Sequence, residues 1–110
     1  MSIKISGDAG DIFIEKSVIA NIAGNVATKC YGVVGMGLKI ANRKVPITKG
    51  IKVSVAKNAL IIAMHVIMEY GININTVSNS IVNNVKYTVE EITGIKVDKV
   101  QLKVESIRVQ

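Results

Sequence analysis

Residues that build catalytic, metal or disulfide sites are scarce in this sequence. Its 110 residues include no tryptophan, one phenylalanine, one proline, one cysteine and one histidine. The single cysteine, Cys30, excludes an internal disulfide, which fits a reducing cytoplasm. One histidine and one cysteine cannot supply the four ligands of a structural zinc site within one chain. We therefore predict a protein without metal, cofactor or disulfide.

Long apolar runs and a secretion signal are missing as well. The longest apolar stretch, residues 59–68, is interrupted by His65 and has about half of the roughly 20 residues that a membrane-spanning helix requires. The first residues, MSIKISGD, contain neither the apolar run nor the small-residue cleavage site of a signal peptide. With 49% hydrophobic and 20% charged residues, the composition is globular. We expect one cytoplasmic domain over residues 1–110.

The shortage of aromatic residues also means that the core is built from isoleucine and valine, which favour strands. Alternating apolar residues predict strands near residues 51–55, 60–68 and 100–104, with a bulge or bend at Ser106. The first strand includes residues 3–5, residues 12–14 or both. Lys57 and Asn58 suit a hairpin turn, because asparagine tolerates positive φ.

Two helices are predicted from apolar residues spaced three and four apart. The first runs from about residue 16 to residue 31 and stops at Gly32, and a glycine-punctuated turn follows over residues 32–37. The second runs from about residue 76 to residue 93, with Asn75 as its N-cap and Gly94 as its stop. The order β-α-β-β-α-β predicts an α+β fold with a small, mostly antiparallel sheet and both helices packed on one face. The strand order stays open between a ferredoxin-like and a KH-like sheet.

The excess positive charge is confined to one segment. The formal net charge is +6, and the residues outside 36–57 hold eight basic and eight acidic side chains. Three interpretations stay open: a solvated loop, a site for an anionic membrane surface or an acidic protein, and a nucleic-acid site. Nucleic acid is disfavoured because the segment has no aromatic residue for stacking and only one arginine. The candidate residues for an anionic partner are Lys39, Arg43, Lys44, Lys49, Lys52 and Lys57.

The predicted strand at residues 60–68 is apolar on both faces, unlike its neighbours. If its even-numbered residues face the helices, its odd-numbered row forms an exposed patch of the kind that marks an interface. We predict self-association through this row, with Ile61 and Ile67 as anchors. A central strand covered on both faces is the alternative. The predicted contact residues are Ile61, Ala63, His65 and Ile67.

His65 is the one candidate for a general base near neutral pH. No acid or nucleophile has a spacing in the sequence that would pair with it. Cys30 closes the apolar stripe of the first helix, which predicts a buried, inert thiol. The glycine turn at residues 32–37 follows a helix C-terminus, where carbonyl groups point outward, so it does not suit phosphate. We predict no catalytic residue and no small-molecule substrate.

Six short segments, taken together, carry a family resemblance. They are GDIFI (residues 10–14), VIANIAG (18–24), YGVVGM (31–36), VIMEYG (66–71), VKYTVE (85–90) and VDKVQLKV (97–104). In this order and spacing they resemble the alkaline shock and glucose-starvation-inducible proteins of low-GC Gram-positive bacteria. The resemblance covers roughly residues 10–109, and residues 37–50 are the part least like the family.

The resemblance implies a cytoplasmic, non-enzymatic domain linked to envelope stress or membrane-proximal physiology and acting through protein partners. Our leading hypothesis is a scaffold or adaptor that works as a homo-oligomer and contacts a membrane-associated protein or an anionic membrane surface. The alternative hypothesis is a small basic RNA-binding protein that uses a βαββαβ sheet. An RNA-reading sheet presents exposed aromatic residues, whereas these strands offer aliphatic ones.

Overall fold

A computed structural model describes residues 2–36 and 50–109. Within these ranges the chain forms six strands and two helices. In chain order they are β1 (Ser2–Gly7), β2 (Gly10–Glu15), α1 (Lys16–Thr28), β3 (Val33–Met36), β4 (Ile51–Ala56), β5 (Ala59–Glu69), α2 (Ile74–Thr93) and β6 (Val97–Arg108).

Strand β5 is the centre of a four-stranded sheet. One of its edges pairs with β6 in parallel, and α2 supplies the crossover that a parallel pair requires. Its other edge pairs antiparallel with β4 over residues 59–64 and with β3 over residues 66–68. Strands β1 and β2 form a separate antiparallel hairpin. The sheet is therefore mostly antiparallel, as predicted.

The core lies between the four-stranded sheet and the two helices. Helix α1 contacts α2, β3 and β4, and α2 contacts α1 and β6, so both helices cover the same face. This arrangement confirms the predicted α+β class. Aliphatic side chains fill the layer, as the shortage of aromatic residues requires; its fully buried members include Ile19, Ala23, Ala27, Leu60, Ile62, Met64, Val66, Met68, Ile81, Val85 and Val89.

The structure adds two strands to the predicted order. Both N-terminal segments form strands, and they pair with each other so that Ile3 lies opposite Ile14 and reaches the core. Residues 33–36, predicted to belong to a turn, form β3 instead. The reason is that β4 pairs with β5 only as far as Met64, so the backbone groups of β5 beyond that point take partners from β3.

Helix α1 ends at Thr28, three residues earlier than predicted. Gly32 is therefore not the glycine that stops the helix. It has a φ of +89°, and a Cβ atom at this position would lie 2.8 Å from Ile72 Cδ1. A glycine is needed here because the backbone takes a left-handed conformation and packs directly against a side chain.

The ends of α2 are set by one residue that the sequence indicated and one that it did not. Gly94 ends the helix at a φ of +72°, and its N–H donates to the Glu90 carbonyl at 2.9 Å, as predicted. The N-cap is Asn73, whose Oδ1 accepts a hydrogen bond from the Thr76 N–H at 3.1 Å. The prediction of Asn75 as N-cap was wrong, because the helix begins at Ile74, two residues before its predicted start.

The hairpin turn and the strand bulge are both confirmed. Lys57 and Asn58 join β4 to β5 with φ values of 52° and 61°, the two positive angles of a type I′ turn. Along β6 the register shifts between Val104 and Ser106, so Glu105 is an extra residue relative to β5. The same strand has a second register shift at Asp98.

We expect Asn73→Ala to lower the free energy of unfolding by about 1 kcal/mol, because the first turn of α2 loses its side-chain acceptor. Asn75→Ala is the matched control: it removes a neighbouring exposed asparagine and should change stability by less. Urea denaturation followed by circular dichroism measures both. Equal losses in the two variants would contradict the assignment of Asn73 as the cap.

Candidate functional site

The alternating rows of β5 face opposite sides of the sheet. Leu60, Ile62 and the even-numbered residues that follow them face the helices and are at most 1% exposed. The odd-numbered row lies on the other side, which we call the open face. Ile61, Ala63 and His65 on this face are only partly buried. The prediction that the even-numbered residues face the helices therefore agrees with the structure.

Polar side chains from the neighbouring strands flank the odd-numbered row. From β4, Lys52 lies opposite Ala63 and Ser54 lies opposite Ile61. From β6, Lys99 lies beside Ile61, Gln101 beside Ala63 and Lys103 beside His65. All five flanking side chains are exposed. The open face is thus a narrow apolar stripe between two polar borders that both contain lysine.

Ile67 is an exception within the row. It is 5% exposed although it lies on the open face, so the prediction that it belongs to an exposed patch was wrong. Its register partner on β3 is Gly35, and a Cβ atom added there would lie 3.4 Å from Ile67 Cδ1. The side chain therefore packs over the glycine instead of projecting outward.

His65 has a partner that the sequence did not reveal. Its Nδ1 and Oε1 of Glu105 are in hydrogen-bond contact, with the two side chains 27% and 25% exposed. A carboxylate can only accept, so Nδ1 carries the proton and Nε2 is left as the second ring nitrogen. The bulge directs the Glu105 side chain toward His65, because an extra residue in one strand re-aims its neighbours.

Glu105 corrects the expectation that no acid pairs with His65. The two residues are 40 positions apart, and they meet only because β6 returns to lie parallel beside β5. A carboxylate that orients an imidazole is one part of a catalytic triad, but the triad also needs a nucleophile bonded to the imidazole. Among the described residues, no hydroxyl or thiol is hydrogen-bonded to His65.

Four of the six candidate residues for an anionic partner, Lys39, Arg43, Lys44 and Lys49, lie outside the described residues. Lys52 and Lys57 are described, and the structure separates them. Lys52 stands on the open face, whereas Lys57 is in the β4–β5 turn and lines a separate cavity with Lys96. Lys99 and Lys103, which the sequence analysis did not select, border the same face as Lys52.

Cys30 is half-buried rather than buried. Its thiol donates to the Val26 carbonyl at 3.2 Å, and the amide of Asn84 on α2 lies 3.8 Å from Sγ. Within residues 2–36 and 50–109, no three histidine, cysteine, aspartate or glutamate side chains come together in a group able to hold a metal ion.

A family model for the alkaline shock proteins, described as having a cell envelope-related function, matches residues 4–109. The chain belongs to the alkaline shock protein family. The resemblance noted in the six short segments is therefore confirmed, and the match spans nearly the whole chain.

Relatives of similar length occur in two Gram-positive bacteria. The uncharacterized protein YloU of Bacillus subtilis (strain 168) is 37% identical over 117 residues, which cover 99% of this chain and 98% of that protein. The uncharacterized protein Spy1614 of Streptococcus pyogenes serotype M6 is 33% identical over 117 residues, which cover 99% and 97%. This alkaline shock family chain is thus similar to them over nearly its whole length.

Solved structures share the fold without close sequence similarity. MamM-CTD 215-293 superposes with a TM-score of 0.54 at 11% identity, covering 84% of this chain and 99% of that chain. The copper form of MamM CTD gives a TM-score of 0.53 at 11% identity over 83% and 85%. At this identity the likeness concerns the fold alone. In the part of the chain that the structure describes, no helix has the length and apolar character needed to span a membrane.

Two adjacent isoleucines test the assignment of faces. We expect Ile62→Ala to lower the free energy of unfolding by about 2–5 kcal/mol, because it opens a cavity in the fully buried row. Ile61→Ala should cost clearly less, since that side chain is partly solvated already. Urea denaturation of the two variants gives the comparison. A larger loss of unfolding free energy for Ile61→Ala would show that the assignment of the two faces is wrong.

Proposed function

We propose that this alkaline shock family protein is a non-catalytic adaptor in a cell envelope-related process and that it works by self-association and protein contacts. The observation that supports this most directly is the open face. One side of β5 is sealed by the helices, and the other presents partly exposed aliphatic side chains between polar borders. A patch of this composition is typical of a protein interface.

Burial energy favours a partner at this face. Full burial of an isoleucine is worth roughly 1.5–3 kcal/mol relative to exposure, and Ile61 has only part of that gain in the single chain. Ile67 is already buried by its own chain and so has little more to gain. Ile61 is therefore the main anchor in this proposal, with Ala63 and His65 next to it.

Both signs of charge border the apolar row of the open face. Lys52 and Lys99 stand at one end of the stripe; Glu69 and Glu105 stand toward the other, together with Lys103 and Arg108 on β6. A polar rim around an apolar centre is typical of a protein interface.

We expect Ile61→Lys to disperse the oligomer and to leave the fold intact, because it places a charge in the interface but outside the helix-facing core. Ile92→Lys is the matched control: Ile92 is 63% exposed on α2, away from the open face, and its replacement should leave the assembly unchanged. Sedimentation velocity measures the assembly, and circular dichroism checks the fold.

Two results would contradict self-association through the open face. The first is a wild-type protein that sediments as a monomer at high concentration. The second is an Ile61→Lys variant that assembles as the wild type does. Loss of fold in Ile61→Lys would instead show that Ile61 contributes to the core, and the comparison of Ile61→Ala with Ile62→Ala reports this independently.

We further propose that residues 36–57, the segment that carries the excess positive charge, bind an anionic partner. This partner is either an acidic membrane-associated protein or an anionic membrane surface. The family's cell envelope-related function supports this choice. Lys52, Lys99 and Lys103 add positive charge to the open face. RNA is the less supported alternative, because β4, β5 and β6 contribute no phenylalanine, tyrosine or tryptophan to that face for base stacking.

Replacing Lys39, Arg43, Lys44 and Lys49 with serine should abolish binding to vesicles that contain anionic lipid, and wild-type binding should weaken steeply with salt. The matched control replaces Lys16, Lys29, Lys86 and Lys96, which removes the same number of charges elsewhere. Vesicle co-sedimentation measures the binding. Equal losses in the two variants would remove the segment from the proposal, and tight, sequence-selective RNA binding at physiological salt would favour the alternative function.

A further inference from the structure

Strand β6 forms one border of the sheet along its whole length. It has 12 residues, contains no proline and pairs on one side with β5. No other strand within residues 2–36 and 50–109 pairs with its outer edge. An edge of this length offers a row of backbone donors and acceptors that another strand can extend.

The side chains of β6 also leave their layer incompletely covered. Val100, Leu102 and Val104 face the helices but are only partly buried, whereas Ile62, Met64 and Val66, their register partners on β5, are at most 1% exposed. The two helices together therefore cover the β5 row better than the β6 row. The apolar layer continues to the border and ends there, partly in solvent.

We propose that β6 pairs antiparallel with β6 of a second copy, about a two-fold axis at Leu102. Leu102 then lies opposite Leu102 of the copy, and Val100 lies opposite Val104. The partly buried, helix-facing row of each β6 therefore packs beside the same row of the copy. On the open face, Lys99 lies opposite Glu105, twice in the pair. Glu105 contacts His65 through Oε1, and its other oxygen can accept from the lysine.

Charge selects this register over its neighbours. A shift by one residue would place helix-facing side chains against open-face ones, so only shifts by two preserve the layers. One such shift centres the pair at Gln101 and sets Lys99 against Lys103. The other centres it at Lys103 and sets that lysine against itself. Both oppose like charges directly across the strands, which is unfavourable.

The two bulges of β6 are also compatible with this register. One lies at Asp98 and the other at Glu105, and each changes which residues face the helices. With the axis at Leu102, Val97 lies opposite Ile107. These two residues pair with Leu60 and Met68 on the helix-facing side of β5, so the layers match beyond both bulges. The complementarity extends over most of the strand.

This contact uses the edge of the sheet, so it does not depend on self-association through the open face. If one chain makes both contacts, each copy has two different copies as neighbours. Two separate two-fold interfaces on one protomer build an assembly larger than a dimer, which is closed where the two axes intersect and open-ended where they do not. Such an assembly would suit a scaffold.

A cysteine on the proposed axis tests the register. Leu102→Cys in a Cys30→Ser background should form a disulfide-linked dimer under mild oxidation, since directly opposite residues in an antiparallel pair lie about 4.5–5.5 Å apart. Ile107→Cys in the same background is the matched control. It lies on the same strand and is 47% exposed, but it would be about 30 Å from its own image and should not crosslink.

Further variants separate the alternatives. Gln101→Cys mixed with Lys103→Cys should crosslink as a heterodimer, which keeps the test informative if Leu102→Cys fails to fold.

Lys99→Glu should reduce the crosslink, and Lys99→Glu combined with Glu105→Lys should restore it. Ile61→Lys should leave the crosslink unchanged, because Ile61 is not in the β6 contact. This result separates failure of the open-face proposal from failure of the β6 proposal. Absence of crosslinking in the cysteine pairs, or equal crosslinking of Ile107→Cys, would overturn the proposal.

Discussion

Strand β5 pairs along both of its edges, and every other part of the larger sheet is placed relative to it. Its helix-facing row supplies five of the fully buried side chains, against which α1 and α2 pack. Because β4 ends its pairing at Met64, β3 takes up the remaining edge. Because β6 runs parallel, α2 must cross over the sheet, and this crossover places it on the same face as α1. A break in the pairing of β5 would remove the support of both helices.

The same arrangement explains why the surface of the protein is uneven. Two helices are enough to cover one face of four strands, so the opposite face is left with Ile61, Ala63 and His65 between lysine borders. The outer edge of β6 is the second consequence, since the layer beneath α2 thins toward that border. An adaptor of the alkaline shock family that works by contacts would use surfaces of this kind, and both arise from how few elements enclose the core.

The contact between His65 and Glu105 could not be predicted from the spacing of residues in the sequence. Each residue alone is ordinary in the sequence, and 40 positions separate them. Their contact depends on the parallel register of β6 and on the bulge that adds one residue before Ser106. The sequence indicated the bulge from the change in apolar alternation, but it held no signal for the strand that would lie alongside. Lys99 and Lys103 were missed for the same reason, since their place beside the apolar row follows from the same pairing.

The sequence by itself determined the class of the fold, both helices, the hairpin turn at Lys57 and Asn58 and the row of β5 that faces the helices. These depend on local periodicity and on residues that favour particular φ values, which short stretches of chain express directly. Only the tertiary structure decided that residues 33–36 form a strand, that Asn73 caps α2 and that Ile67 is buried over Gly35. The strand at residues 33–36 and the burial of Ile67 depend on contacts between residues distant in sequence, whereas the cap lies in a first helical turn that is exposed and precedes the apolar stripe. Periodicity carries no information about either.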